Sequence, residues 1–136
     1  AKIVEQKDLE FKTKEKPSKK LIKDMLFAFT VSKYVNSNAI VLASGLRTVG
    51  IGIGQTSRVD STKLAISKAN KKYKGNNTVL ASDGFFPFPD IIDLCSKNNI
   101  KYIIQPGGSI NDKSVIKAAE RFNISIVFTK IRHFKH

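Results

Sequence analysis

The sequence has no tryptophan, one methionine and one cysteine, Cys95. A single cysteine cannot close an internal disulfide, so the chain is expected in a reducing compartment, the cytoplasm. Cys95 falls on the apolar face of an expected helix, which reads as a buried, inert thiol rather than a nucleophile. No apolar run reaches the roughly 20 residues that a membrane-spanning helix needs. The opening residues, Ala1-Lys2-Ile3-Val4-Glu5-Gln6-Lys7-Asp8, lack the apolar stretch of a secretion signal. They also lack an initiator methionine, which suggests a piece of something longer. Histidine occurs only at His133 and His136, with no cysteine or carboxylate nearby to complete a transition-metal set. Internal repeats and low-complexity tracts are absent as well.

Acidic residues are scarce: 11 Asp and Glu stand against 24 Lys and Arg, for a formal net charge of +13 and a pI of about 10.0. Such a balance favours anionic partners, whether nucleic acid, phosphorylated metabolites or polyglutamate tails. Only Arg47, Arg58, Arg121 and Arg132 are arginines, however, and the lysines are scattered. The cluster Lys68, Lys71, Lys72 and Lys74 reads as a solvated helix end. Basic stripes interleaved with aromatic residues are not evident, so a nucleic-acid platform is not the expectation. What is present in quantity is apolar: 41% hydrophobic residues in 136, enough for one domain with a real core.

Periodicity along the chain gives an α/β order. Residues 1–16 are mixed and charged and read as an arm or linker, followed by one domain over residues 17–136. Pro17-Ser18 opens a helix carrying Leu21, Met25, Leu26 and Phe29 at helical spacing. Asn36-Ser37-Asn38 ends it. Ala39 to Ala43 and Thr48 to Ile53 read as a hairpin turning at Ser44-Gly45-Leu46-Arg47. A helix capped near Ser57 follows, then strands at Thr78 to Ala81, Tyr102 to Gln105 and Ile124 to Thr129. These alternate with helices over Pro87 to Lys97 and Asp112 to Phe122. Alternation of this kind predicts parallel strands with crossover helices in a three-layer α/β/α sandwich, with the hairpin making the sheet mixed.

Several unusual strings fall at the carboxyl ends of strands, where ligands of open α/β sheets bind. Ser82-Asp83-Gly84-Phe85-Phe86-Pro87-Phe88-Pro89-Asp90 sets rigid aromatic surface beside carboxylates. Phe85 and Phe88 could wall a flat heterocycle and Asp90 could accept from it, while Phe86 should point inward. Asp83 could be a helix cap or a cation ligand. Gly50-Ile51-Gly52-Ile53-Gly54-Gln55-Thr56-Ser57-Arg58 brings a glycine-rich strand to a helix N-terminus that favours anions. Its spacing is neither a dinucleotide fingerprint nor a P-loop, and its glycines could equally admit a packed helix. Pro106-Gly107-Gly108-Ser109 lets backbone approach a ligand, or makes a tight turn capped by Asn111 or Asp112. Arg132, in the tail Lys130-Ile131-Arg132-His133-Phe134-Lys135-His136, suits a phosphate.

These strings, together with Ser37-Asn38-Ala39-Ile40-Val41, resemble the C-terminal part of the AICAR transformylase/IMP cyclohydrolase family, in order, from roughly Pro17 to His136. The resemblance implies a cytidine-deaminase-like subdomain of the transformylase. It implies formyl transfer from 10-formyltetrahydrofolate to the exocyclic amine of the aminoimidazole ribonucleotide AICAR, in a cytoplasmic homodimer making IMP. By the same resemblance Asn38 and His136 are catalytic, and Arg58, Phe85 and Arg132 bind the nucleotide. Val59, Pro87, Phe88, Asp90 and Ser109 line the folate side, and Asp83 lies by a potassium ion. Two positions depart from the family: Gly84 replaces the usual alanine and Pro89 the usual arginine. The family's Lys-His pair and its cyclohydrolase domain are not in this sequence, so the expectation is a half-site, inactive alone. The rival expectation is a stand-alone folate- or purine-nucleotide-binding module.

Overall fold

The structure, a computed structural model, describes residues 3–70 and 77–130. Its first helix, α1 (Lys19–Lys33), starts where Ser18 Oγ accepts the Leu21 N–H at 3.3 Å. Leu21, Met25, Ala28 and Phe29 then form the stripe that packs on the sheet. Asp24 is also buried on this helix. Its carboxylate accepts the N–H groups of Gly45 and Leu46 at 3.2 and 2.9 Å. Those two residues are the turn of the hairpin β2 (Ile40–Ser44) and β3 (Arg47–Gly52), both at positive φ (58° and 62°). Two-residue hairpin turns of this kind suit glycine first of all, and Leu46 is held there with its N–H bonded to Asp24.

Helix α2 (Arg58–Asn70) follows, then β4 (Val79–Ser82), α3 (Asp90–Lys97), β5 (Tyr102–Gln105), α4 (Asp112–Arg121) and β6 (Ser125–Phe128). The six strands, counting β1 (Glu10–Phe11), lie in the order β1-β6-β5-β4-β2-β3. Strands β4, β5 and β6 are mutually parallel; β2 is antiparallel to both its neighbours. The sheet is mixed and covered on both faces, so its central strands are almost wholly apolar. Ile40, Leu42, Leu80, Ile103 and Ile126 point to one face, beneath α2, α3 and α4. Val41, Ala43, Val79, Ala81, Ile104 and Val127 point to the other, beneath α1. This is the expected three-layer α/β/α sandwich, with one helix on one side and three on the other.

The described part of the N-terminal arm is bound along the sheet. Strand β1 pairs antiparallel with β6, the Ile126 N–H donates to Thr13 Oγ1 at 3.1 Å, and Ser125 Oγ donates to the Glu15 carbonyl at 2.8 Å. Helix α3 begins at Asp90, three residues beyond Pro87. Bonds from distant parts of the chain hold Phe86 and Pro87 out of the helix.

Candidate active-site edge

The strand register places five segments at one edge of the sheet. Ile40, at the start of β2, pairs with Gly52 and with Ser82, the ends of β3 and β4. Gln105 and Phe128, the ends of β5 and β6, are partners at the same edge. Ser37-Asn38, Gly54 to Arg58, Asp83 to Pro89, Pro106 to Asn111 and Thr129-Lys130 therefore gather there.

At the β2–β4 end the centre is Asp83. One carboxylate oxygen accepts the Ala39 N–H at 3.1 Å and the Arg58 guanidinium; the other accepts the Ser37 hydroxyl. Arg58, the first residue of α2, also donates to Ser82 Oγ at 3.2 Å. The pair is mostly enclosed, with side chains 16% and 13% exposed. Beside it, Asn38 Nδ2 donates to the Gln55 carbonyl at 3.1 Å, and Ser61 Oγ donates to the Asn38 carbonyl at 2.6 Å. Asn38, Arg58 and Asp83 are thus one connected group. Gly50 and Gly52 resolve toward packing: a Cβ on either would run into the backbone carbonyl of Ala65 or Ser61 on α2. Those glycines let α2 press against β3, and so set where Arg58 begins.

The aromatic loop splits as the sequence predicts. Phe86 is fully buried, whereas Phe85 and Phe88 are 41% and 59% exposed. Gln105 enforces this division, since its buried Oε1 accepts the Phe86 N–H at 3.1 Å. Its Nε2 has no partner. The neighbouring loop is tied in by Asn111 Nδ2, which donates to the Pro87 carbonyl at 2.7 Å. Asp112 accepts the N–H groups of Gly108 and Ser109 at 2.8 and 3.2 Å, and Ser109 Oγ accepts the Asn111 N–H at 3.0 Å. Phe88 and Asp90 line a cleft between α3 and α4. Val59, the second residue of α2, packs half-buried against the core.

A potassium ion does not fit Asp83 as it stands. Both carboxylate oxygens are taken by donors, one of them a guanidinium that would repel a cation. The described residues also hold no group of three His, Cys, Asp or Glu suited to a metal. Arg132 and His136, and with them the expected phosphate and imidazole contacts, lie outside the described residues. The roles of Ser37, Ser82, Gly84 and Gln105 were not read from the sequence. Only Gln105, a polar residue ending an apolar strand, carried a signal there.

Fold and edge together place the chain among cytidine-deaminase-like α/β domains. A dCMP deaminase from the cyanophage S-TIM5 superposes with a TM-score of 0.52 at 12% identity, over 82% of this chain and 98% of that one. A Thermotoga maritima diaminohydroxyphosphoribosylaminopyrimidine deaminase/5-amino-6-(5-phosphoribosylamino)uracil reductase gives 0.50 at 20% identity, over 78% and 35%. Sequence narrows the class to a family: a model of the AICARFT/IMPCHase bienzyme matches residues 1–68, and the chain belongs to that family. It is 50% identical over 129 residues to the bifunctional purine biosynthesis protein PurH of Fusobacterium nucleatum, covering 95% of this chain and 26% of the relative. The PurH of Oceanobacillus iheyensis is 48% identical over 136 residues, all of this chain and 26% of the relative. The chain therefore spans about a quarter of the length of the curated relatives it matches. Among the described residues, no helix is long and apolar enough to cross a membrane.

Proposed function

We infer that the chain is a transformylase subdomain from the C-terminal part of such a bienzyme, and that its loop edge forms one wall of the AICAR formyltransferase site. The observation that carries the reading is the joined edge itself. Asn38, Arg58 and the exposed Phe85 and Phe88 sit on loops fastened to one another, in a chain half identical to PurH proteins along nearly all its length.

The reaction joins the exocyclic amine nitrogen of AICAR to the formyl carbon. The bond from that carbon to the folate nitrogen breaks, and the folate nitrogen takes up a proton. The amine is a weak nucleophile, so positioning and donors to the developing oxyanion carry the catalysis. Here the amide of Asn38 contacts the formyl group or the amine, Arg58 orients the nucleotide, and Phe85 stacks on the aminoimidazole. Arg132 takes the phosphate and His136 the heterocycle. Val59, Pro87, Phe88, Asp90 and Ser109 face 10-formyltetrahydrofolate. The remaining subdomain supplies the Lys-His pair that moves the proton, and the cyclohydrolase domain and a second protomer of a cytoplasmic homodimer complete the enzyme.

Assaying the purified chain with AICAR and 10-formyltetrahydrofolate tests this. Alone it is expected to give negligible formyl transfer, restored when the rest of the bienzyme is supplied. The restored activity should fall at least about tenfold in Asn38→Ala and Arg58→Ala, as losing one oriented donor does. Robust turnover by the chain alone, or restored activity indifferent to both substitutions, would overturn the reading.

A further inference from the structure

The end of the sheet opposite the loop edge, where β4, β5 and β6 begin, is strongly cationic. Helices α2, α3 and α4 finish there, with Lys68, Lys97 and Arg121 in their last turns and acids in their first. That arrangement suits the helix macrodipole and needs no further cause. Lys101, just before β5, and Arg47, beside the hairpin turn, are exposed at the same end. Helix α1 runs the other way, so its N-terminus lies here. Asp24, in its second turn, accepts from the hairpin turn, and Glu15, just ahead of the helix, accepts from Ser125 at the start of β6. The dipole at a helix N-terminus disfavours cations, yet the first turn of α1 carries Lys19 and Lys20 and no acid. Residues 12–23 hold six lysines against one acid, Glu15. Lys14, Lys16, Lys19, Lys20 and Lys23 are exposed, and no ion pair among the described residues includes any of them. Lys19 and Lys20 stand four and three residues from Lys23, spacings at which like charges repel. Local structure therefore opposes this cluster instead of explaining it, and an anionic partner would offset the repulsion.

The surrounding surface narrows that partner. Tyr34, Ile53, Phe85, Phe88 and Ile110, exposed and apolar, lie at the loop edge, whereas Leu46 is the large apolar side chain exposed beside the lysines. One leucine is too little apolar surface for a membrane contact. No exposed aromatic ring stands among the lysines to stack an unpaired base. Lysines act as point charges and lack the planar fork that reads base edges. We propose that the arm and the start of α1 bind the phosphate backbone of double-helical nucleic acid, RNA or DNA, without reading sequence. The surface lies at the far end of the fold from Asn38, Arg58 and Phe85, so both ends can be occupied at once.

Fluorescence anisotropy of the chain with labelled RNA and DNA duplexes of roughly 20 base pairs, between about 50 and 200 mM salt, tests this. Binding is expected in the micromolar range, with a log–log salt slope of about −4 to −5, as for five neutralised phosphates. In Lys16→Gln/Lys19→Gln/Lys20→Gln/Lys23→Gln the slope should fall to about −1 and the affinity at least about tenfold. Lys7→Gln/Lys63→Gln/Lys113→Gln/Lys130→Gln removes the same charge elsewhere and should keep the slope within about 1 of the unchanged chain. NMR titration of the unchanged chain should shift amides over residues 14–24 and leave the loop edge unmoved, a readout that needs no variant to fold. Equal losses in the two variants, or shifts centred on the loop edge, overturn the proposal. So does a preference above about tenfold for one sequence or for a single strand, or tighter binding to phosphatidylserine vesicles than to either duplex. Duplex binding that disappears when the rest of the bienzyme is supplied would assign the lysines to an internal contact and overturn it as well. None of these readouts depends on formyl transfer, so the proposal stands or falls apart from the reading of the loop edge.

Discussion

Gly84 lies against the guanidinium of Arg58: a Cβ on Gly84 would stand 2.9 Å from Arg58 Cζ. The same geometry at Gly52 would meet the backbone of Ser61 in α2. A guanidinium ends a flexible chain and can swing aside; a helix backbone cannot without disturbing the packing of α2 on β3. Gly84→Ala should therefore cost less than about 1 kcal/mol, and Gly52→Ala about 3 kcal/mol, the upper range for overpacking. Urea unfolding midpoints of the two variants check this, and equal losses would contradict it.

Asp83 serves three donors from separate parts of the chain, so removing its charge should be felt beyond one bond. Asp83→Asn is expected to lower stability by about 2 kcal/mol, mainly by leaving Arg58 enclosed without a counter-charge. Arg58→Ala added to Asp83→Asn should cost much less than Arg58→Ala alone. A double-mutant cycle from denaturant curves would give a coupling energy near 1 kcal/mol or more. Additive losses would mean that the ion pair contributes nothing.

Phe85 and Phe86 are adjacent and should behave oppositely. Phe86→Ala removes a fully buried side chain and should cost about 3–5 kcal/mol. Phe85→Ala should change stability by less than about 1 kcal/mol, in keeping with a substitution at the surface. Under the proposed function its effect falls on nucleotide affinity, measured by titration with AICAR in the completed enzyme. A thermal melt of each variant separates the two roles.

Burial in the core pushes the Cys95 thiol from its usual value of 9.0 up to about 12. The folded chain should therefore resist iodoacetamide at pH 8 and react at the unfolded rate only in denaturant. The same shift predicts alkaline destabilisation. The raised thiol favours the folded state fully below pH 9.0, and that advantage is lost as pH rises from there through about 12. The slope from this group approaches about 1.4 kcal/mol per pH unit. Denaturation midpoints of Cys95→Ala against the unchanged chain, at pH 8 and pH 11, should converge as pH rises.

Local signals carried much of the architecture. Pro17-Ser18 marks the start of α1, the run Tyr102 to Gln105 marks β5 residue for residue, and Phe86 points inward between two outward neighbours. What escaped reading depends on partners far along the chain. Two prolines precede α3, and either is acceptable in a first helical turn. Asp90 is the start because Gln105 and Asn111 fasten Phe86 and Pro87 in an extended loop. Asp83 is visibly a carboxylate in the sequence, but nothing local says that the Arg58 guanidinium, far along the chain, bonds to it. The glycines at 50 and 52 fit a ligand or a helix equally until α2 is seen lying on them. Likewise, nothing within residues 1–16 indicates that Glu10 and Phe11 pair with Phe128 and Val127.

That last pairing bears on solubility. Strand β6 would be an outer strand without the arm, with its ladder groups open and apolar residues on both faces. Such an edge is a template for intermolecular β-pairing. The two residues of β1, Glu10 and Phe11, followed by Lys12 and Thr13, close it with a short charged segment that offers little ladder of its own. The arm thus acts as a guard against self-association. A chain lacking residues 1–16 should keep most of its helical signal yet form concentration-dependent oligomers, visible by light scattering.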